Sequence, residues 1–466
     1  MKDIVLSQFR CFESFNMRFK RGLNVLVGDN ANGKTSILRA CKFALSAFFV
    51  GFSDENTRLL TPNAEDFRLW VNDSGVRMPV KPLEISFSWI FPLQDDNPLP
   101  NYLRCASENK DSRIRFGLSA VPDDLPSYKN LPSYKNIYKI GKKNPKNSRL
   151  VIGGMKGYKA YCKELQKNMY VESVREKPLP VFVSFSTEDI HANRKISSKR
   201  FSTLNQSASF GYYECLEARG LFKYWKKRML VLAEAEEEEQ ELEVVKNAVL
   251  KAFDGIISNI EIRINEKKIY FEFEDRRKVA EELLSDGYRR LLNIVMDIAF
   301  RAALLNRELY GDKAAMQSEG TVLIDEVDMH LHPSLQATIL QRLQQTFPKI
   351  QFIVSTHSPM VMSNLKSDEN NVIYKLDYKI EKKRYEAREV KAYGRDISSV
   401  VETVLDILPR NKETEERLRG LFDCIDEDKL EEAKVKLAEL RKDYGDTLPE
   451  FVRAETMINF LSDEED

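Results

Sequence analysis

Short apolar runs, each followed at once by glycine or polar residues, recur along this chain. Residues 24–27, 321–324 and 351–354 are the clearest of these runs. Continuous apolar runs of this length predict strands that are buried on both faces of a sheet. A largely apolar stretch compatible with a helix, residues 37–47, follows the first run after a polar loop. This alternation of strand, loop and helix predicts an α/β protein.

Weaker patterns predict further elements. Residues 260–264 and 269–273 indicate a hairpin, and residues 372–376 and 385–393 indicate two more strands. Residues 222–253 favour a helix that begins with basic residues and continues into an acidic run. A helix whose charge changes sign along its length is typical of an exposed or partner-facing surface. The segment is long enough for only one short helical unit, not for a long coiled-coil arm.

The composition changes to helix-forming residues after Pro409. Helices are predicted around residues 415–424 and 449–461. A third helix lies between them, and its apolar residues recur at helical spacing: Leu430, Ala433, Leu437 and Leu440. This stripe either packs on the neighbouring helices, which is the interpretation we favour, or forms a docking surface for another subunit.

The bulk composition is that of a soluble globular protein. The 466 residues are enough for two or three domains, and 42% of them are hydrophobic and 31% charged. Lys+Arg and Asp+Glu are equal at 72 each. A polyanionic partner would therefore have to meet a local basic patch rather than a net charge.

The cysteines and the N-terminus both favour the cytoplasm. None of the six cysteines forms a CxxC pair, which argues against a zinc site or a disulfide framework and suits a reducing compartment. Asp3, Gln8 and Arg10 interrupt the N-terminus, so it does not resemble a signal peptide. The longest apolar run, residues 44–52, is too short to span a bilayer. We therefore expect a cytoplasmic protein without a membrane partner.

Residues 28–35, GDNANGKT, match the phosphate-loop pattern G-x-x-x-x-G-K-[ST]. The glycines allow a tight turn whose N–H groups face a phosphate, the lysine reaches between the β- and γ-phosphates, and the threonine hydroxyl faces Mg²⁺. The pattern lies between a predicted strand and a predicted helix, as this chemistry requires. The predicted nucleotide contacts are Gly28, Asn30, Asn32, Gly33, Lys34, Thr35 and Ser36.

Polar residues with catalytic potential follow two of the other buried runs. Asp325 and Glu326 come directly after residues 321–324. We predict that Asp325 binds Mg²⁺ together with Thr35, and that Glu326 orients or deprotonates the attacking water. His357 follows residues 351–354 in the segment STHSP, where an imidazole can contact a γ-phosphate and respond to its loss.

The other three histidines are assigned no chemistry of this kind. His330 and His332 are two residues apart and could suggest a metal site, but no cysteine or third histidine is near in sequence. His191 is interpreted as a structural histidine.

A second anion site is predicted at residues 284–292, LSDGYRRLL. A Ser-Asp-Gly turn leads directly into a helix that begins with two arginines. The free N–H groups and the dipole of such a helix start favour an anion.

The segments GDNANGKTS, LSDGY, VLIDEVDMHLHP and STHSP, in this order, resemble the ATP-binding-cassette (ABC) ATPase heads of the RecF, SMC and OLD lineage. The resemblance implies an α/β head with a mixed sheet core and a helical lobe, with ATP and Mg²⁺ as ligands. It also implies a dimer, or a higher oligomer, closed around ATP. Ser285 and Gly287 of one copy would then hold the γ-phosphate of the ATP bound to the other.

The sequence departs from this pattern in three places. LSDGY lacks the second glycine and the glutamine of transporters, and Asp286 either weakens ATP binding or caps the helix. His332 stands where a dimer-contacting aspartate is common. The glutamine loop has three candidates, namely Gln94, Gln206 and residues 186–189.

A basic insertion separates two parts of the predicted head. It contains the tandem repeat LPSYKNLPSYKN at residues 125–136, and lysines alternate with tyrosines over residues 127–168. The insertion is either a solvated loop, which we favour, or a contact for DNA or RNA. The predicted domains are 1–105 (head with the phosphate loop), 106–177 (basic insertion), 178–395 (helical lobe and remaining head) and 396–466 (C-terminal helical domain for assembly or docking).

The chain is predicted to be an ATPase and not itself a nuclease. After His357 no DxD pair follows a strand, and the four histidines leave none for an HNH cluster. Residues 393–405 and 423–445 resemble the ATPase subunit of the Septu antiphage system, which works with a separate HNH nuclease. The ATPases of the PARIS system and of retron-linked defence operons are close alternatives. A RecF-like repair ATPase without a nuclease partner, or a scaffold that barely turns ATP over, are the other functions considered.

Overall fold

The computed structural model describes most of the chain. The described residues are 1–52, 56–71, 77–80, 83–90, 113–116, 140–142, 151–152, 165, 177–187, 200–204, 206–217, 221–235, 239–408 and 410–463. They form two compact units, Met1–Arg395 and Asp396–Asp466. The tandem repeat, nearly all of the basic segment 127–168, Gln94 and His191 lie outside the described residues.

The strands are numbered here in chain order. They are β1 Asp3–Phe9, β2 Phe12–Arg18, β3 Leu23–Val27, β4 Leu69–Val71, β5 Arg77–Pro79, β6 Leu83–Ile90, β7 Arg113–Phe116, β8 Ile140–Lys142, β9 Val151–Ile152, β10 Val181–Phe185, β11 Ile257–Arg263, β12 Lys268–Phe273, β13 Lys278–Ala280, β14 Gly320–Ile324, β15 Ile350–Ser355, β16 Val372–Lys379 and β17 Arg384–Val390.

The α-helices follow the same convention. They are α1 Lys34–Ser46, α2 Phe222–Ala235, α3 Glu239–Ala252, α4 Asp286–Tyr310, α5 Ala314–Gln317, α6 Pro333–Thr346, α7 Pro359–Ser363, α8 Ile397–Thr403, α9 Lys412–Asp426, α10 Leu430–Tyr444 and α11 Pro449–Asp463. No helix in the described part of the chain combines the length and the apolar character needed to cross a membrane.

The central sheet of the first unit has six strands in the order β10-β14-β15-β3-β16-β17. The first five strands run parallel to one another, and only β17 is antiparallel to its neighbour. Every residue of β3, β10 and β15 is buried, which explains why their sequences are mostly apolar. Together with a second, antiparallel sheet of β1, β2 and β6–β9, this confirms the predicted α/β fold with a mixed sheet core.

Helix α4 is the long central helix of this unit, with 25 residues and an almost continuous buried face. The indole ring of Trp225 on α2 stacks on Phe300 of α4 at 4.8 Å between ring centroids. Arg301 of α4 is fully buried, and its guanidinium donates to the Asp297 carboxylate one turn earlier, at 2.8 Å from Nε. This pairing satisfies a charge that would be costly to bury alone.

Three predicted elements differ from the structure. The segment 222–253 contains two helices, α2 and α3, instead of one. The predicted hairpin is present as β11 and β12, but a third strand, β13, extends it into a small sheet. The strand predicted over residues 385–393 ends at Val390, and β10 was not predicted at all.

The second unit has its own hydrophobic core between α9, α10 and α11. Its buried residues are Leu418, Leu421, Cys424, Ile425, Ala433, Leu437, Leu440, Phe451, Ala454 and Ile458. The predicted stripe of α10 lies inside this core, and Leu430 at its start is also buried. The stripe is therefore the interior of the unit and not a docking surface.

Candidate functional site

The carboxyl ends of three neighbouring strands bring the predicted site residues to one edge of the central sheet. Strand β15 lies between β14 and β3, and all three run in the same direction. Because neighbouring strands are about 5 Å apart, the ends of β3 and β14 lie about 10 Å from each other. The segments that begin at Gly28, Asp325 and Thr356 therefore leave the sheet side by side.

The phosphate loop, residues 28–35, turns at two glycines that no other residue can replace without strain. Gly28 has φ 141° and Gly33 has φ 89°, both in the region that favours glycine. A Cβ atom at Gly28 would lie 2.6 Å from the Leu376 carbonyl oxygen. A Cβ atom at Gly33 would lie 2.5 Å from the Phe12 ring. The loop thus packs closely on both of its neighbours.

Helix α1 begins directly after this loop, at Lys34. Gly33 occupies the N-cap position and provides no side-chain cap, so the first N–H groups of the helix are left for a ligand. Thr35 and Asn30 are exposed, and Ser36 is half-buried. Asn32 fixes the loop by donating from Nδ2 to the Leu376 carbonyl at 2.8 Å. An exposed helix start with this loop is suited to bind phosphate.

The Lys34 side chain folds back across the loop. Its Nζ donates to the carbonyl oxygens of Gly28 at 2.7 Å and Asp29 at 2.9 Å. Burial lowers the pKa of Lys34, while the nearby carboxylates, first that of Asp325 and then those of Asp29 and Glu326, act in the opposite direction. The lysine ammonium therefore lies within electrostatic reach of both acids that follow β14.

Asp325 and Glu326 are held by a serine that the sequence did not single out. Ser355, the last residue of β15, donates from Oγ to the Asp325 carboxylate. The same oxygen accepts from the Glu326 N–H at 2.8 Å. Glu326 has φ 49°, an uncommon backbone conformation for a glutamate, and the bond to Ser355 stabilises it.

Arg290 on α4 is one of the two arginines at the predicted helix start, and sequence reasoning assigned it no role at the two acids. Its Nη2 donates to the backbone carbonyls of Asp325 at 2.9 Å and Glu326 at 2.7 Å. Arg290 is buried. It connects the helix capped by Ser285 with the backbone of the two acids. A movement of α4 would therefore displace the backbone of Glu326.

The segment after β15 is tied to the loop that precedes α6. Thr356 donates from its hydroxyl to the Asp328 carboxylate, and Ser358 donates to Gln336 Oε1 at 2.6 Å. Gln336 in turn donates to the Leu331 carbonyl at 2.9 Å. His357 is half-buried between these anchored residues. Its imidazole is thus carried on backbone that is fixed on both sides.

His330 and His332 have different surroundings. His332 caps α6, because its Nδ1 accepts from the Ser334 N–H at 3.4 Å and hydrogen-bonds the Ser334 hydroxyl at 2.9 Å. His330 is exposed and has φ 63°. Among the described residues, no group of three or more His, Cys, Asp or Glu side chains lies close enough to hold a metal.

The donor set at the sheet edge nevertheless fits Mg²⁺. This ion prefers oxygen ligands and is usually held by one or two carboxylates together with substrate phosphates and water. The Thr35 hydroxyl is exposed at the start of α1, and the Asp325 carboxylate lies at the end of β14. A dense protein cage is not required for such a site.

The second predicted anion site lies at the start of α4. Ser285 caps this helix by accepting from the Tyr288 N–H at 3.4 Å. The alternative that Asp286 caps the helix is therefore wrong. Asp286 is the first helical residue, and its exposed carboxylate lies 3.6 Å from Arg289 Nη1. A Cβ atom at Gly287 would lie 2.7 Å from the His330 carbonyl oxygen. None of the described hydrogen bonds joins Ser285 to the phosphate loop of the same chain.

Two candidates for the glutamine loop, Gln206 and residues 186–187, lie among the described residues. Gln94 and residues 188–189 lie outside the described residues. Ser186 and Thr187 follow the end of β10, beside β14, at the same edge of the sheet as the acids.

Comparisons with known proteins match parts of this chain. A family model described as "AAA domain, putative AbiEii toxin, Type IV TA system" matches residues 172–363. "Retron Vc95 probable ATPase" of Vibrio cholerae serotype O1 biovar El Tor is 48% identical over 96 residues, which are 21% of this chain and 18% of that protein. "Septu protein PtuA" of Bacillus mycoides (strain KBAB4) is 40% identical over 99 residues, which are 21% of this chain and 13% of that protein.

The resemblance to ABC-type ATPases is confirmed. The matches to the retron ATPase and to Septu PtuA span less than a fifth of the length of either relative. Among solved structures, the Smc head bound to the C-winged helix domain of ScpA aligns with this chain at a TM-score of 0.43 and 14% identity. The alignment covers 84% of this chain and 97% of the Smc head chain.

Proposed function

We propose that this chain binds ATP with Mg²⁺ and hydrolyses it, as the ABC-type ATPase subunit of a bacterial antiphage defence complex. The observation that carries the ATPase part is the meeting of Lys34, Asp325 and Glu326 at one edge of the central sheet. A phosphate grip, a metal-binding carboxylate and a second carboxylate for water are the groups that phosphoryl transfer to water requires.

Each residue has a distinct role in this proposal. Lys34 exchanges its two carbonyl partners for β- and γ-phosphate oxygens, and the N–H groups at the start of α1 bind the same phosphates. Thr35 and Asp325 hold Mg²⁺, which when bound neutralises charge on the phosphates. Glu326 orients the attacking water and accepts its proton, and His357 contacts the γ-phosphate.

We further propose that a second copy completes the site. Ser285 is exposed at the tip of α4, next to Leu283, an apolar side chain that is 77% exposed. Two copies would close around ATP so that Ser285 and the start of α4 of one copy meet the γ-phosphate held by the other. An exposed leucine beside this tip suits a surface that is covered in the dimer or in a higher oligomer.

The defence role rests on the similarity to Septu PtuA and to the retron ATPase. In this proposal the ATPase regulates a separate HNH-type nuclease. Co-purification of the full chain with the products of adjacent genes, with and without ATP, tests it. Recovery of an HNH nuclease supports the proposal, and a stable complex that never contains a nuclease contradicts it.

The ATPase role is tested by one substitution and its matched control. Glu326→Gln removes the proposed base and should lower kcat by about 10²-fold or more, because a positioned general base contributes 10²–10⁴-fold. Glu319→Gln makes the same change just before β14, at the opposite end of this strand, on an exposed residue, and should leave kcat within about twofold of wild type. Wild-type turnover no faster than that of Glu326→Gln would refute the assignment.

A further inference from the structure

An aromatic cluster lies beside the phosphate loop. Tyr378 on β16 and Tyr385 on β17 are direct cross-strand partners, with ring centroids 4.9 Å apart. Tyr385 also meets the Phe12 ring edge-on at 5.2 Å. Phe12 is fully buried, Tyr385 is half-buried and Tyr378 is 45% exposed. The cluster therefore has a buried base and one aromatic face that is open to solvent.

Two contacts attach this cluster to the loop. Asn32 donates to the carbonyl of Leu376, which lies two residues before Tyr378 on the same strand. Gly33 packs so closely on Phe12 that a Cβ atom would lie 2.5 Å from the ring. The cluster is therefore attached to residues 32 and 33 through its buried base and through the strand that carries Tyr378.

The sheet order indicates which end of a bound nucleotide lies near the tyrosines. Strands β15 and β14, which carry the acids, lie on one side of β3, whereas β16 and β17 lie on the other side. The groups proposed to activate water and the two tyrosines thus lie on opposite sides of the phosphate loop. A γ-phosphate that faces Glu326 places the nucleoside toward β16 and β17.

The base of the cluster also borders the start of α1. Cys11, the neighbour of Phe12, lies with its Sγ 3.1 Å from a Cβ atom placed at Gly33. The end of α1 where the phosphates are proposed to bind therefore adjoins the aromatic cluster.

We propose that Tyr378 and Tyr385 form the stacking surface for the nucleobase of the bound nucleoside triphosphate. This inference rests on the proposed function, because it assumes that the loop holds a nucleotide. Aromatic side chains bind bases of any sequence through their π-faces, and a purine offers a larger face than a pyrimidine. The site therefore selects purine over pyrimidine nucleotides and does not depend on one particular base.

Binding of ATP and of inorganic tripolyphosphate to the full chain separates base recognition from phosphate recognition. Tyr378→Ala should weaken ATP binding on the order of tenfold, the size typical of removing one stacking aromatic, and leave tripolyphosphate binding unchanged. Tyr378→Phe retains the ring and should bind ATP as wild type does. The control Tyr393→Ala removes a tyrosine that is 59% exposed and outside the cluster. It should change neither ligand.

Titration calorimetry on these four proteins gives distinguishable outcomes. A selective loss of ATP affinity in Tyr378→Ala, with CTP affected less than ATP, supports the stacking surface. Equal weakening of ATP and tripolyphosphate, or no change in either, overturns it. Failure of the wild-type chain to bind ATP or tripolyphosphate would instead remove the proposed function itself.

Discussion

Ser355→Ala tests how the two acids after β14 are held. Ser355 is fully buried, and its hydroxyl both donates to the Asp325 carboxylate and accepts from the Glu326 N–H. Alanine fits the same strand position but provides neither interaction. Both partners would then be left in a largely buried place without their hydrogen bond.

The expected cost follows from these two bonds. A hydrogen bond to a charged group contributes about 1.5–3 kcal/mol and a neutral one about 1 kcal/mol. We therefore expect the free energy of unfolding of the first unit to fall by about 2–4 kcal/mol. Because Ser355 also stabilises the backbone of Glu326 at φ 49°, kcat should fall as well, with a smaller effect on KM.

Tryptophan fluorescence during urea unfolding measures the stability of the first unit. All three tryptophans, Trp70, Trp89 and Trp225, belong to the first unit, so the signal reports its unfolding and not that of Asp396–Asp466. Ser363→Ala is the matched control. Ser363 is also buried, but its hydroxyl makes only 3.3 Å bonds, to the Met360 carbonyl and from Asn364. This control should cost less than about 1 kcal/mol.

A Ser355→Ala protein with the stability and kcat of the Ser363→Ala control would refute this reasoning. It would mean that Ser355 does not hold the acids in solution. Lower stability with an unchanged kcat would retain the structural role of Ser355 but separate it from catalysis.

Three further substitutions test other contacts. Arg290→Lys keeps the charge but cannot reproduce the guanidinium geometry on the two carbonyls, so kcat should fall more than KM rises in steady-state ATPase assays. Gly287→Ala places a Cβ atom 2.7 Å from the His330 carbonyl oxygen, and the overpacking should cost about 1–3 kcal/mol by tryptophan-detected unfolding. Leu437→Ala removes a buried side chain from the core of the second unit and should cost about 2–4 kcal/mol, measured by the helical circular dichroism signal on heating.

The sequence predicted those parts of the fold that depend on local pattern. Strands β3, β14 and β15 are buried on both faces, so their sequences are mostly apolar and easy to detect. The spacing of the glycines, lysine and threonine in residues 28–35 is that of a phosphate-binding loop, so this loop could also be predicted from the sequence. The roles assigned to Lys34, Asp325, Glu326 and His357 stay predictions until turnover is measured.

What the sequence could not predict depends on neighbours in space. Ser355 contacts Asp325 and Glu326 only because β15 is inserted next to β14, a pairing that sequence distance does not reveal. Arg290 was noticed only as one of two arginines at a helix start, and its bonds to two backbone carbonyls require the packed structure. Tyr378 and Tyr385 are likewise brought together by cross-strand register.

The shared site is tested most directly by mixing two inactive proteins. A Lys34→Ala copy lacks the phosphate grip but keeps its α4 tip, whereas a Ser285→Arg copy keeps the grip and blocks the tip. A dimer of one of each contains one intact site, so an equal mixture should recover about a quarter of wild-type ATP turnover. A mixture as inactive as either parent, with wild-type protein active in the same assay, would contradict a site built from two copies.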